Sequence, residues 1–302
     1  MSGHASPAAR QGGRRPSRLA VTVFLAPFAL LFLATYLVPA GYALFKSFFV
    51  VEREGPFGSA HDVFGGLDNY TKALRDSDFL RGIGRMVLFG IVQYPLMVVL
   101  ALALALLLDT RSARLQRLMR LVYFAPYAVP SVVAALMWGF LYSPGLSPFT
   151  EGPGGLGLHI DFLGSQAILW SIANVVTWTY CGFNMIVLVT ALQTIDRDLY
   201  RAARVDGASD WQIVRHIKLP LLRPALVLIT VFSIIGILQL FTEPQVLSTL
   251  TGSITSDYTP SLAAFNEAGA NNYNYAAALS MILAVVTAVL STVFMRVAWR
   301  NR

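Results

Sequence analysis

The chain has 302 residues, of which 56% are hydrophobic and 13% are charged, about half the charged share of an ordinary soluble domain. A soluble fold of this composition would expose large apolar patches, so the sequence predicts an all-α protein that crosses a membrane several times. The net charge of +7 permits nucleic-acid binding, but the basic residues are sorted by membrane side, so we expect no nucleic-acid partner.

The predicted elements begin with a disordered tail at 1–18, which is rich in Ser, Pro, Gly and Arg. A membrane-spanning helix needs about 20 mostly apolar residues. Six stretches qualify, at about 19–44, 83–108, 121–141, 166–192, 225–247 and 275–299. The first is longer than the apolar core of a signal peptide and lacks a small-residue cleavage site at the right distance, so we interpret it as an uncleaved helix.

The charged residues are divided between the two sides of this six-span arrangement. Of the 23 Lys and Arg residues, 17 lie in the N-terminal tail, the second-to-third and fourth-to-fifth connections, and the C-terminal end. Eleven of the 16 acids lie on the opposite side. The positive-inside rule therefore predicts that both termini are cytoplasmic, and the basic clusters are interpreted as topology signals and lipid-headgroup contacts.

The reactive residue types indicate no catalytic or metal chemistry. The single cysteine, Cys181, excludes an intrachain disulfide and is interpreted as a packing residue. The four histidines show no ligand spacing, so no metal site is predicted. No G-x-x-x-x-G-K-[ST] motif is present, so we expect that the chain is not an enzyme and does not itself hydrolyse ATP.

The fourth-to-fifth connection, 193–222, is the most informative segment of the sequence. Asp196 is predicted to cap a short helix that runs to about Val205. Asp206 and Gly207 then form a turn in which Gly207 is free to adopt a positive φ.

A second helix is predicted to follow this turn. Ser209 and Gln212 have the spacing of a capping box, and Pro220 is expected to stop the helix. The residues alone leave three interpretations open: an amphipathic linker at the membrane surface, a docking element for another protein, and a DNA-binding motif.

The spacing of small and apolar residues in this loop resembles the coupling-loop signature of ABC importer permeases. That signature is Glu-Ala-Ala, three residues, Gly, nine residues and Ile-x-Leu-Pro. The residues that match it, or are expected to couple to the ATPase with it, are Arg201, Ala202, Ala203, Asp206, Gly207, Ile217, Leu219 and Pro220. Arg201 stands where the family has Glu, so the resemblance implies docking through 196–220 but leaves the usual ion pair with the ATPase in doubt.

The resemblance implies a type I (MetI-like) permease fold in a bacterial cytoplasmic membrane. The expected partners are a second homologous permease, two ABC ATPase subunits, an extracytoplasmic solute-binding lipoprotein and membrane lipids. ATP and Mg would be bound by the partner ATPase, and this chain would need no cofactor.

Three further matches are similar to the maltose-type and glycerol-phosphate-type sugar permeases, which implies a sugar substrate. They are Gly66-Leu67-Asp68-Asn69-Tyr70; Pro126 and Pro130 with Trp138; and Gln239-Leu240-Phe241-Thr242-Glu243-Pro244. Thr251-Gly252-Ser253 departs from the Gly-Gly-Pro that often follows. Pro126 and Pro130 are expected to kink the third span.

Polar residues inside the spans are candidates for the substrate path, because polar side chains in lipid usually face the bundle interior or water. Asn174 and Trp178 are four apart, as are Gln239 and Glu243, and each pair shares a helix face. An aromatic face with amides and a carboxylate suits a sugar, and the resemblance places Trp178, Gln239 and Glu243 on the path. Interhelical hydrogen bonds, an aromatic belt around Trp178 and a solvated Glu243 are the alternatives.

Two other classes of membrane protein remain as alternatives, beside a permease for another solute. A stand-alone secondary transporter would need ionisable residues in the membrane, and internal repeats are frequent in that class. The spans are nearly empty of ionisable residues and no repeat is visible. A membrane-embedded enzyme would need acids, histidines or a nucleophile clustered at one depth, and the sequence has no such cluster.

Overall fold

A computed structural model of the chain describes residues 18–53, 59–109, 113–149 and 160–300. The predicted tail therefore lies outside the described residues, apart from Arg18. Within the described ranges, five helices are long and apolar enough to cross a membrane, or six if one bent pair counts as a single span. The chain divides into two compact units, Met1–Phe45 and Lys46–Arg302.

The part of the first unit that the structure describes is one apolar helical segment, which extends to Lys46. Helix α1 (Arg18–Phe32) passes through a π-helical turn (Leu33–Leu37) into α2 (Val38–Lys46). Phe28, Phe32 and Tyr36 stack along one side, with ring centroids 5.9 and 5.4 Å apart. A helix that is apolar all round is suited to a lipid or protein environment rather than to water.

The second unit opens with a β-hairpin that the sequence analysis did not predict. Strand β1 (Phe49–Arg53) pairs antiparallel with β2 (Ala60–Phe64), and Val50 faces Val63. The buried Asn69 amide ties the following helix, α3 (Asp68–Arg75), to this hairpin by donating to the carbonyls of Ser47 at 3.0 Å and Phe49 at 2.7 Å. The hairpin is small, and the other regular elements of this unit that the structure describes are helices.

The other helices of the second unit follow in chain order. They are α4 (Ser77–Asp109), α5 (Ala113–Phe124), a 3-10 turn (Ala125–Ala128), α6 (Ser131–Tyr142), α7 (Ile168–Gln193), α8 (Arg197–Val205), α9 (Asp210–Ile213), a π-helical turn (Val214–Lys218), α10 (Leu219–Leu238), α11 (Thr242–Leu247), α12 (Pro260–Gly269) and α13 (Tyr273–Arg300).

The third predicted span is bent by 93° between its two halves. Pro130 precedes α6 as its N-cap residue, and Val129 before it is extended at φ −78° and ψ 127°. A residue that precedes proline is pushed out of the α region, so the helix of the first half cannot continue into the second. The two halves form α5 with its 3-10 turn, and α6.

Helix α7 lies at the centre of the second unit, and half of its most apolar stretch is buried. Met185 and Leu188 pack with Ala101 and Leu108 of α4 in one cluster. Gly182 lies directly against the backbone carbonyl of Tyr123, so a Cβ atom there would overlap that oxygen. The absence of a side chain at this position lets α5 approach α7 closely.

The structure corrects the prediction that Pro220 stops the second helix of the 193–222 loop. Instead, α9 continues through the π-helical turn and α10 as far as Leu238. Proline is tolerated in the first turn of a helix, and Pro220 is the second residue of α10, where the preceding wide turn has already shifted the backbone hydrogen bonds. The loop helix and the fifth span are therefore one continuous body.

Candidate functional site

The first candidate site is the hairpin of α8 and α9, whose local signals were correctly predicted. The Asp196 side chain caps α8 by accepting from the Asp198 amide at 2.9 Å. Ser209 and Gln212 form a reciprocal capping box: the Gln212 amide donates to the Ser209 hydroxyl at 3.3 Å, and Gln212 Oε1 accepts from the Ser209 amide at 2.7 Å. Each cap of this kind is worth about 1 kcal/mol.

The turn between the two helices is a Schellman motif centred on Gly207. Gly207 has a φ of +83°, and its amide donates to the Arg204 carbonyl at 3.1 Å. The next amide, of Ala208, donates to the Ala203 carbonyl at 2.9 Å. These two bonds are the ones that define the motif, and the left-handed position favours glycine. The turn is therefore held by these two bonds at the end of α8 and by the Ser209–Gln212 capping box at the start of α9.

The surface of this hairpin exposes large apolar side chains among its charged ones. Val205 is 87% exposed and Trp211 is 68% exposed. A hollow of about 290 Å³ beside the turn includes Asp206, His216 and Ile217 in its lining. Of the eight predicted coupling residues, Arg201, Ala202, Asp206, Gly207 and Pro220 are exposed, and Ala203, Ile217 and Leu219 are half-buried.

Arg201, which departs from the family pattern, pairs within its own helix. Its guanidinium donates to Asp198 at 2.8 Å, and Arg204 pairs with Asp210 of α9 at 3.1 Å. All four side chains are largely exposed, and such pairs are worth at most about 1 kcal/mol. Arg201 can therefore leave Asp198 for an external acidic or carbonyl partner at small cost.

A buried ion pair, which the sequence analysis missed, ties this hairpin to α4. Lys218, 7% exposed, donates from Nζ to Asp109 Oδ2 at 2.5 Å, and the same Nζ lies 5.1 Å from the ring centroid of Tyr200. The Tyr200 hydroxyl is buried with no partner among the described residues. Burial raises the pKa of Tyr200, and the Asp109 charge raises it further. One junction thus joins α8, the π-helical turn and the end of α4.

The second candidate site is a cavity of about 480 Å³ between α4, α7 and α10–α11. Its lining includes a carboxylate, three amides and several aromatic rings. The polar lining residues are Gln93, Tyr127, Ser131, Tyr180, Asn184, Ser233, Gln239, Thr242 and Glu243. Glu243 is 4% exposed, so its carboxylate lies in the cavity wall rather than in open solvent as one alternative had it.

The four residues predicted for the substrate path are divided between two places. Gln239 and Glu243 line the cavity. Asn174 instead donates to the Tyr142 hydroxyl at 2.7 Å, and Trp178 packs edge-on against Trp138 with ring centroids 6.0 Å apart. Neither is part of the cavity lining.

The geometry of α7 explains this division. Its cavity-lining residues, Val176, Tyr180, Phe183 and Asn184, follow the i, i+4, i+7, i+8 spacing of one helix face. Position 174 is two residues before 176, a rotation of about 200°, and so lies on the opposite side. Asn184 was not among the predicted path residues, and its four-residue spacing from Tyr180 shows that the two share a helix face.

Comparison with known proteins yields consistent matches. Residues 97–298 match the family described as "Binding-protein-dependent transport system inner membrane component". The lactose transport system permease protein LacF of Rhizobium radiobacter is 32% identical over 236 residues, covering 76% of this chain and 78% of that protein. The diacetylchitobiose uptake system permease protein NgcF of Streptomyces coelicolor is 30% identical over 306 residues, covering 94% and 85%.

The fold also matches solved structures. A chain of a bacterial ABC transporter involved in the import of the acidic polysaccharide alginate superposes with a TM-score of 0.77. The match covers 93% of this chain and 96% of that chain at 20% identity. At this level of identity the likeness is one of fold.

Proposed function

Because the chain belongs to the binding-protein-dependent transport system inner membrane components, a family of transport subunits rather than enzymes, we propose that it forms half of the translocation path of an ATP-driven importer for a sugar. The relatives that transport lactose and diacetylchitobiose support the substrate class. The cavity supports it too, since amides, a carboxylate and aromatic rings are the groups that bind sugar hydroxyls and C–H faces.

The α8–α9 hairpin is the observation that carries this proposal. Each of its two helices has a side-chain cap at its start, the large apolar side chains Val205 and Trp211 are exposed on it, and it continues without interruption into α10, which lines the cavity. A rigid element of this kind transmits a movement at its tip to the spans rather than absorbing it. The hairpin is thus the part of the chain through which an ATPase would act.

In the proposed assembly this chain pairs with a second, homologous permease. Two ABC ATPase subunits bind and hydrolyse ATP with Mg at the cytoplasmic face, and an extracytoplasmic binding lipoprotein delivers the sugar. Closure of the ATPases moves the hairpins and opens the cavity outward, and hydrolysis returns it to the inward-facing state. Gln239 and Glu243 contact the sugar, while Asn174 and Trp178 support the α6–α7 contact beside the path.

The proposed orientation places the hairpin and both termini in the cytoplasm. It rests on the 17 of 23 basic residues on that side. In a Cys181→Ala background, a membrane-impermeant maleimide should label a Thr249→Cys variant in intact cells. It should label a Ser209→Cys variant only after the cells are permeabilised. Labelling of Ser209→Cys in intact cells would reverse the orientation.

Reconstitution tests the function itself. The chain, its co-encoded permease, ATPase and binding protein are placed in proteoliposomes, and ATPase activity and sugar uptake are measured. An Ala203→Asp variant should lose both ATPase association and uptake, because a charge would enter the half-buried side of α8. Ala203→Ser keeps the residue small and serves as the control. Uptake driven by an ion gradient without the ATPase would overturn the proposal.

A further inference from the structure

The cavity wall contains an acidic residue and no basic one. Among the described residues that line the cavity, Glu243 supplies a carboxyl group and none is Lys, Arg or His. The remaining polar lining is neutral, and Gln93, Asn184 and Gln239 supply the amides. Glu243 is 4% exposed, and the described side chains form no salt bridge with it. A negative group that entered would find no cation on this wall.

The connections on the proposed outer side are also acidic. The connections 143–165 and 248–274 contain four acids, Glu151, Asp161, Asp257 and Glu267, and no Lys or Arg. Glu243 apart, that side of the chain has 10 acids, from the 11 counted above, and six basic residues. An anion approaching from outside therefore meets a potential of its own sign before it reaches the cavity.

Several basic residues on the outer side are already engaged. Lys46 pairs with Asp62, and Arg81 pairs with Asp78. Arg85 donates to the Tyr258 carbonyl at 2.5 Å and lies 4.0 Å from the ring centroid of Tyr258. These contacts engage all three basic side chains with partners in the protein itself.

We infer that the substrate is a saccharide without negative charge, and that this permease discriminates against uronates, sulfonated sugars and sugar phosphates. The inference rests on the proposed function and narrows its substrate class. Burying an anion without a partner is costly, and the lining residues of this wall include no basic side chain that could neutralise one. Hydroxyl groups, by contrast, donate to Glu243 and exchange hydrogen bonds with the amides.

The inference separates this chain from what its fold alone allows. The fold is shared with an importer of an acidic polysaccharide, whereas the relatives LacF and NgcF carry lactose and diacetylchitobiose, which are uncharged. The shared fold therefore leaves the charge of the substrate undecided. Here the composition of the cavity wall decides it.

A direct test measures the potential inside the assembled complex, where both permease walls contribute. Cys181 is the single cysteine, so a Cys181→Ala, Ser233→Cys variant carries one thiol in the cavity. This thiol is modified with two methanethiosulfonate reagents, the cationic trimethylammonium-ethyl and the anionic sulfonatoethyl compound. The rate with each reagent is divided by the rate at which the same reagent modifies a small thiol in solution, and the two normalised rates are compared. We expect the cationic reagent to be favoured by about tenfold.

Two variants locate the source of that preference. Glu243→Gln should reduce the ratio several-fold, and Asp68→Asn, which removes an exposed carboxylate outside the cavity lining, should leave it unchanged. Equal rates, or a preference for the anionic reagent with Glu243 present, would overturn the inference. This readout needs no knowledge of the substrate.

Uptake by the reconstituted complex provides the second arm. Lactose, trehalose and diacetylchitobiose are compared with sulfoquinovosyl glycerol and alginate oligosaccharides, each with the binding protein present. Uptake of an uncharged saccharide alone supports the inference, and uptake of an acidic one refutes it while leaving the importer function intact. A cation-favouring cavity with no ATP-driven uptake of any saccharide would instead count against the proposed function.

Discussion

Removing the charge of Lys218 should destabilise the junction between the hairpin and α4. In a Lys218→Met variant, the Asp109 carboxylate loses the ammonium group 2.5 Å away while its side chain is only 20% exposed. Asp109 is also the last residue of α4, where the helix dipole disfavours negative charge. Breaking one side of a buried pair costs about 3–5 kcal/mol, and the partial exposure of Asp109 puts the expected loss near the lower limit.

The assay is thermal unfolding of the purified complex, followed by intrinsic fluorescence. A loss of about 3 kcal/mol corresponds to a decrease in Tm on the order of 5 °C for a chain of this size. The Asp109→Asn, Lys218→Met double variant should recover most of the decrease, because neither partner is then left charged and unpaired. If each single variant shifted Tm by less than about 1 °C, or if the double variant lost the sum of both, the ion pair would not hold this junction.

Three further predictions follow from other contacts. Gly207→Ala should cost about 1–2 kcal/mol of local stability, because position 207 has a left-handed φ. The loss should be seen as faster amide exchange in α8 and α9. Gly84→Ala is the control, since position 84 has open space around it, and it should have no such effect. Gly182→Ala should push α5 away from α7 and lower Tm, since its Cβ would overlap a backbone carbonyl; an unchanged Tm would refute this contact. The Lys46 hydrogen bond holds the pKa of Asp62 below its ordinary value near 3.8. The ionised Asp62 should therefore stabilise the β-hairpin above pH 3.8, and this stabilisation should be lost as the pH falls through the lowered pKa. Amide exchange in the hairpin should become faster over that pH range, and Asp62→Asn should abolish this pH dependence.

Local signals were predictable from the sequence because they act over a few residues. Asp196 bonds an amide two residues on, and Ser209 and Gln212 bond each other across three. The positive φ of Gly207 follows from the same short range. Pro220 misled the prediction because a wide π-helical turn before it accommodates a proline that would otherwise end the helix.

Contacts between distant segments could not be predicted in this way. Lys218 and Asp109 are 109 positions apart, and nothing near either residue indicates the partner. The rotation of α7 was also hidden, because polar residues lie on more than one side of this span and the sequence does not show which side lines a cavity. Asn174 and Trp178 were therefore predicted for the path, whereas Tyr180 and Asn184 line the cavity.

Contact between the tip of the α8–α9 hairpin and an ATPase is the basis of the proposed function, and crosslinking from position 205 measures that contact. Val205 is 87% exposed on α8, so a photo-reactive amino acid in its place projects from the surface. Irradiation of the assembled importer should join this chain to the ATPase subunit, with a yield that changes when ATP is bound. Adducts with lipid or the binding protein alone, and none with the ATPase, would show that the hairpin does not dock on the ATPase.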